Sequence, residues 1–485
     1  MRKYILEVTT FIAGGLGMII ELVAARILSP YLGSSNLIWT CIIGMMLAFM
    51  SLGYYLGGRI SDKHPNKNVM STFLLTAAIF TSIIPLMEIY VIEPLSLSHI
   101  NSSLVAVICS SLTFGVPSLF LATVSPFAVK LKDKELNEVG KVSGKMSSFS
   151  TIGSIFGTFL AGFVLIPRLG VKNIILLIVI VLCLLSFILY ENKNKLFVIK
   201  SIFVYISLIG IILIGKNFFF KLHPDIILDT DSEYSRIWVK DIHVNDKKFY
   251  AVQVDTGLES VATETKGLTS DYMKFYDLAE YYNKNAQNAL MIGGAAYIYP
   301  TYYLQNFKDK TIDVVEIDEK MTEIAEKYFN LDTDNNRIKV YHQDGRVYLN
   351  KSEKKYDCIL IDAFKGLNAP FQLTTYEALN NAKRILNDDG VVITNVVASI
   401  SGDKSDFLKY EYSTYKKVFN NVKIFKAQDG FNDNELQNLI LIGFKNDIVE
   451  NTQFLEKYEK LLNKEIHDFK SDKQAVTDNL CPIGV

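Results

Sequence analysis

The feature that most constrains this 485-residue chain is the placement of its apolar residues. Seven mostly apolar stretches fall at 4–28, 37–58, 70–93, 103–129, 144–166, 173–190 and 197–215. About 20 such residues carry a helix across the hydrocarbon core of a bilayer. Backbone polar groups find no partners in lipid, so stretches of this kind are expected to be helices. Apolar residues make up 49% of the whole, an ordinary average, but residues 1–215 hold a disproportionate share of them. Residues 220–485 are rich in Lys, Asp, Glu and Asn and read as a soluble domain. The chain is therefore expected to comprise a transmembrane helical domain at 1–218, a β-rich extension at 219–285 and an α/β domain at 286–485. The first stretch is too long for a cleaved signal peptide, and no small-residue cleavage pattern precedes the next.

Lys and Arg collect in alternate loops: Arg2 and Lys3, then Arg59, Lys63 and Lys67, then Lys130, Lys132, Lys134 and Lys141, then Lys193, Lys195 and Lys200. The opposite loops hold little more than Arg168 and Lys172. The positive-inside rule places the N-terminus in the cytoplasm. Seven crossings would then leave the soluble half outside, against any chemistry on a cytoplasmic nucleotide. A broken or re-entrant segment around Pro117 and Pro126 would resolve this; so would a failure of the rule. The expectation is a multi-pass protein of the cell membrane with its catalytic domain on the cytoplasmic side.

Two features of the apolar half go beyond bulk hydrophobicity. Glu21 and Arg26 lie inside the first stretch, where ionisable residues need a partner. Either they contact a substrate or lipid, or they satisfy each other or a neighbouring helix. Gly53 with Gly57, and Gly153 with Gly157 and Ala161, recur at four-residue spacing, which lets helices pack closely. The net charge of −1 gives no field for nucleic acid. Cys41, Cys109, Cys183, Cys358 and Cys481 are scattered, as are the six histidines, so no metal site is expected.

In the soluble half, residues 234–253 alternate apolar and polar around Asn245-Asp246 and predict a β-hairpin. Strand-like runs follow at 288–292, 312–316, 338–341, 357–361, 391–396, 423–427 and 438–444, most of them separated by helical stretches. The last two leave no room for a long helix and should pair antiparallel. ALMIGGAAYIYPTYYLQNFKDKTIDVVEID (289–318) reads as strand, glycine turn, helix and strand, the opening of a nucleotide-binding sheet. Ligands of such sheets sit beyond the carboxyl ends of the strands. Those ends carry Gly293 and Gly294, Glu316, Asp344 and Gly345, and Asp362 in order. Any single acid among these could be a solvated cap; together, in order, they line one crevice.

These residues carry a family pattern. Residues 232–445 resemble the polyamine aminopropyltransferases, the spermidine synthase family, through VVEIDEKMTEIAEKYF, HQDGRVYL and YDCILIDAF. The apolar half, with ELVAARILSPYLGSS, SLGYYLGGRISD and SSFSTIGSIFGTFLAGFVLIPRLG, is similar to membrane-fused bacterial members. The resemblance implies a seven-stranded Rossmann-like methyltransferase/spermidine synthase sheet with an N-terminal β-hairpin extension. It implies a donor substrate, S-adenosylmethionine or its decarboxylated form, and no metal. Gly293 and Gly294 would pass beneath the nucleoside, Glu316 would hold the ribose hydroxyls, and Asp344 with the Gly345 amide would meet the adenine. Asp362 would be the catalytic acid–base group, while Tyr272 and Glu259 would stand near the amine.

Two departures follow from the same resemblance. The family's acidic GGGDGG loop is GGAAYI here, with Ala295 and Ala296, and its second acid after Asp362 is replaced by Lys365. Lys365 could face a carboxylate or an anionic head group, or be an exposed loop lysine. The implied partners are the lipid bilayer and a small-molecule amine or membrane-associated acceptor, and a homo-oligomer is compatible with the sequence. A methyltransferase or donor-cleaving lyase on the same sheet, and a nucleoside-gated transporter or sensor centred on Glu21 and Arg26, stand as alternatives.

Overall fold

Each of the seven apolar stretches is helical. The computed structural model describes residues 4–132, 139–191, 195–244, 247–263, 267–363, 370–448 and 450–480. Its long apolar helices are α1 (Ile5–Leu32), α2 (Asn36–Lys63), α3 (Lys67–Ser96), α4 (Ser102–Lys132), α5 (Val139–Leu169), α6 (Val171–Leu189) and α7 (Phe197–Leu222). All are long and apolar enough to cross a membrane. The glycines expected at helix contacts are there. A Cβ on Gly153 would collide with the Phe11 carbonyl, and one on Gly157 with Gly15, so α1 and α5 approach to backbone distance. On α2, a Cβ on Gly57 would lie 2.8 Å from the Thr123 Cα. The segment around Pro117 and Pro126 does not fold back: it runs as one 31-residue helical stretch. A π-helical turn at Ser110–Gly115 precedes Pro117 there, and such a widened turn accommodates carbonyls that a proline cannot pair.

Ion pairs sort the loop charges of this half into two ends. One end joins Lys67 to Glu191 (2.8 Å), Lys130 to Asp62 (2.9 Å), and both Lys132 and Lys145 to the buried Glu7. The other joins Lys172 to Asp229 (2.6 Å), Arg236 to Glu88 (2.9 Å), and His223 to Glu93 (3.1 Å). Arg26 does not need Glu21, since its guanidinium donates to the Glu233 carbonyl at 2.5 Å.

A four-stranded sheet follows, β1 (Ile226–Asp231), β2 (Arg236–Val244), β3 (Lys247–Val254) and β4 (Gly257–Thr263), in that spatial order. The predicted turn Asn245-Asp246 lies outside the described residues. The chain divides into two compact units, Met1–Trp238 with Val254–Thr256, and Val239–Gln253 with Gly257–Val485.

The second unit is built on a seven-stranded sheet of β5 (Asn288–Ile292), β6 (Thr311–Glu316), β7 (Ile338–His342), β8 (Tyr356–Ile361), β9 (Leu386–Ala398), β10 (Asn421–Lys426) and β11 (Gln437–Phe444). The spatial order is β10-β11-β9-β8-β5-β6-β7. β11 runs antiparallel to β9 and β10, while β5, β6, β7, β8 and β9 pair in parallel. This is the sheet that the resemblance implies. β8 is buried at all six positions, as a central parallel strand covered on both faces must be. Helices α8 (Ile298–Asn306), α9 (Glu319–Tyr328), α10 (Gly345–Lys351), α11 (Tyr376–Ile385) and α12 (Asp406–Val418) cross between strands. α11 presents Leu379, Ala382 and Ile385 to a core shared with Val392, Val396 and Leu441 of the sheet. β5 and β8 lie side by side at the centre, where the order of connections reverses, and a ligand crevice opens at such a point.

Candidate active site

The turn after β5 is shaped by backbone demands. Gly293 has φ +90°, which L side chains rarely adopt, and a Cβ there would collide with the Asp362 carbonyl. The amide of Asp362 in turn donates to the Ile292 carbonyl at 2.9 Å. Only glycine lets the ends of β5 and β8 approach this closely. A Cβ on Gly294 would lie 2.7 Å from the ring of Tyr297. Ala295 (φ +43°) and Tyr297 (φ +55°) hold left-handed conformations without being glycine, a strain that surrounding contacts must offset. The buried Tyr297 ring packs over the turn, and its hydroxyl pairs with Thr322 at 2.7 Å.

Glu316, at the end of β6, braces that turn. One carboxylate oxygen accepts from the amides of Gly294 (2.8 Å) and Ala295 (3.1 Å), the other from Asp318 (2.9 Å). Burial raises its pKa, and the three backbone donors oppose that rise. A carboxylate oxygen has two acceptor sites, so the one bonded to Asp318 keeps a free lone pair. Asp344 caps α10, accepting from the Val347 amide at 3.0 Å through one oxygen. Gly345 opens α10 so close to β5 that a Cβ would stand 2.5 Å from the Ile292 side chain.

Asp362 follows β8 directly. Its Oδ1 accepts from the Asn395 amide at 3.1 Å and its Oδ2 from the Tyr272 hydroxyl at 3.1 Å. The buried Tyr276 hydroxyl is aimed at the same carboxylate without forming a hydrogen bond of full geometry, yet it lies near enough to favour the ionised form. Burial pushes the pKa of Asp362 up, and Asn395, Tyr276 and Tyr272 draw it back down. Tyr276 stacks edge-on against Tyr299, with ring centroids 5.0 Å apart. Tyr299 and Tyr302 both donate to Asp277 at 3.0 Å. Burial pushes Asp277 up to about 6.

The structure thus brings together Gly293, Gly294, Glu316 and Asp362 around one turn, with Tyr272 on the acid itself. Asp344 and Gly345 sit at the neighbouring strand end. Glu259 lies on β4, but its side chain is outside the described residues, as is Lys365. Asn395 and Tyr276 are residues that sequence reasoning missed. Ala296, at the position of the family's acid, is fully buried, and its amide faces the Ser260 hydroxyl at 3.5 Å. What the arrangement offers chemically is a glycine turn packed against the end of β8, with one desolvated carboxylate held by neutral donors.

Residues 275–428 match the family described as Spermine/spermidine synthase domain. A "Probable polyamine aminopropyl transferase" of Bifidobacterium longum (strain NCC 2705) is 32% identical over 191 residues, covering 39% of this chain and 42% of that one. A "Polyamine aminopropyltransferase" of Vibrio vulnificus (strain CMCP6) is 32% identical over 148 residues, covering 30% and 48%. The chain therefore spans less than half the length of either relative. The crystal structure of a probable spermidine synthase from Corynebacterium glutamicum ATCC 13032 aligns with a TM-score of 0.46 at 19% identity, over 54% of this chain and 99% of that one. What the chain shares with that family is therefore a similarity over residues 275–428, inside its second unit.

Proposed function

We propose that this chain is a multi-pass membrane transferase that moves an aminopropyl-type group from an S-adenosyl sulfonium donor to an amine. The donor is decarboxylated S-adenosylmethionine or S-adenosylmethionine itself. The lone pair of a neutral amine attacks the carbon beside the sulfonium, the C–S bond breaks, and its electron pair stays on sulfur. Methylthioadenosine leaves uncharged, and the proton released by the new secondary ammonium passes to Asp362. The soluble unit works on the cytoplasmic side, where such a donor is made.

The observation that carries the reading is the Asp362 carboxylate. It stands against the Gly293 turn at the point where a nucleoside would cross, and burial makes it a stronger base than a solvated aspartate. A base of raised pKa accepts a proton from an ammonium more readily. Most of the relatives are named aminopropyltransferases, with one N-methyltransferase among them, and that balance favours breaking the bond to the longer substituent. The buried Ala296 leaves no carboxylate at that position for the donor's terminal ammonium, which is why both donors stay in the proposal.

Product analysis with the labelled donors tests this directly. Methylthioadenosine is the expected product, whereas S-adenosylhomocysteine would assign methyl transfer and no product would remove the enzymatic reading. Asp362→Asn should lower turnover by about 10²–10⁴-fold, the range of a general base, with methylthioadenosine binding retained. Unchanged turnover would take the base role from Asp362.

A further inference from the structure

The segment Val476–Asp478 is a strap tied to the strand ends that the donor reading uses. Val476 is buried. Its carbonyl accepts from the Tyr376 amide at the start of α11 (2.8 Å), and its amide donates to the Thr414 hydroxyl of α12 (3.0 Å). Two residues on, the Asp478 carboxylate accepts from the Thr375 hydroxyl through one oxygen (2.7 Å) and pairs with Arg346 through the other (2.6 Å). Arg346 follows Gly345 directly. Its guanidinium also donates to the Gln372 carbonyl (3.0 Å) and the Thr375 hydroxyl (2.8 Å), so it holds the chain on both sides of Leu373. Leu373 is buried, and a Cβ on Gly345 would stand 3.5 Å from it and 2.5 Å from Ile292. The end of β5, the start of α10 and the turn before α11 thus meet at Gly345. Asp344 beside it spends one oxygen on its cap, and the other makes no hydrogen bond among the described residues.

Folding stability does not account for the Arg346–Asp478 pair. Asp478 is 44% exposed, and an ion pair open to water contributes little. What the pair fixes is geometry. A guanidinium is a rigid planar fork, so a carbonyl, a hydroxyl and a carboxylate bound to it at once leave it one position. That position sets the start of α10 against Leu373. A site ordered before its ligand arrives spares the ligand that cost. We propose that Arg346 and Asp478 are positioning residues for the donor: the strap holds the Gly345 amide and Leu373 where the adenine of an S-adenosyl nucleoside is received. The inference rests on the donor reading above. It adds a recognition element from outside residues 275–428, the stretch shared with the family.

The test is calorimetric titration of methylthioadenosine into the full chain in lipid nanodiscs, beside steady-state kinetics with the labelled donors. Asp478→Ala should raise the Kd roughly fivefold or more, the lower end of coupling between two sites. The KM for the donor should rise with it while kcat at saturating donor holds, since the pair acts on binding and not on Asp362. The ligand-free melting midpoint should scarcely move. Arg346→Lys keeps the charge and loses the fork, so it should do the same, and it covers the case in which Asp478→Ala does not fold. Adding Asp478→Ala to Arg346→Lys should weaken binding little further, as for two residues of one network. A Kd unchanged in both variants overturns this inference and leaves the transferase reading standing. A Kd that rises only together with a collapsed melting midpoint makes the strap a packing element and overturns it too. A wild type that binds no methylthioadenosine removes the donor reading itself, and this inference with it.

Discussion

At the scale of single residues, the question is how a desolvated aspartate stays useful as a base. A base must be ionised to accept a proton, and burial raises the pKa of Asp362, so its activity is lost as pH falls through that raised value. The amide of Asn395 and the hydroxyls of Tyr276 and Tyr272 hold the rise in check by favouring the charged form. Removing one of them should move the acid limb of the pH–rate profile to higher pH. Tyr276→Phe is the cleanest case, because it deletes one oxygen and keeps the ring against Tyr299. We expect the limb to shift upward by about one unit or less, one unit being about 1.4 kcal/mol, with the rate at alkaline pH nearly unchanged. An unmoved limb would mean that Asp362 is not the titrating base. Asp362, Glu316 and Gly293 were legible in the sequence because each ends an apolar run, and strand ends are where such sheets bind. Asn395 and Tyr276 were not. Asn395 sits inside a strand whose burial pattern marks it as core, and Tyr276 belongs to a short 3₁₀ helix that no periodicity announces.

At the scale of elements, the strands of the large sheet followed from apolar runs bounded by polar turns, and each lies within a few residues of its expected place, although β9 extends further toward its N-terminus. The charged junction of the first unit was invisible by comparison. Arg236 opens a strand whose alternation reads as half-exposed, yet its side chain is fully buried and bridges Glu88 of α3 and Asp229 of β1. Its guanidinium grips Asp229 through two nitrogens, at 2.9 and 2.8 Å. Burial alone would raise the pKa of Asp229; Arg236 and Lys172 outweigh it and hold the carboxyl well below the usual range. Arg236→Ala leaves two buried carboxylates short of a partner, which costs about 3–5 kcal/mol. A clear drop in the melting midpoint of the purified protein should report it. Adding Glu88→Gln to Arg236→Ala should recover part of the loss, since one uncompensated charge goes too while Asp229 keeps Lys172. A midpoint unmoved by Arg236→Ala would show that the cluster does not hold β1 and β2 to the helices.

At the scale of the whole molecule, two arguments about orientation pull in opposite directions. The ion pairs group the loops in alternation, with Glu7, Asp62, Lys67, Lys130, Lys132, Lys145 and Glu191 at one end of the helices and Glu93, Lys172 and His223 at the other. All seven helices therefore run alternately, and α4 continues through both of its prolines. If each crosses the bilayer once, residue 4 and residue 223 lie on opposite sides. The lysine-rich end is that of the N-terminus, so the charge rule alone would place it in the cytoplasm. The proposed chemistry places the soluble unit in the cytoplasm, which puts the lysine-rich end outside. Reporters fused in turn to the two termini of the intact chain, in cells, measure this. We expect the C-terminal reporter to signal from the cytoplasm and the N-terminal reporter from outside. The reverse result would mean that loop charge sets the orientation and that a cytoplasmic S-adenosyl donor cannot reach Asp362. Both termini on one side would mean that one of the seven helices does not cross, however apolar it is.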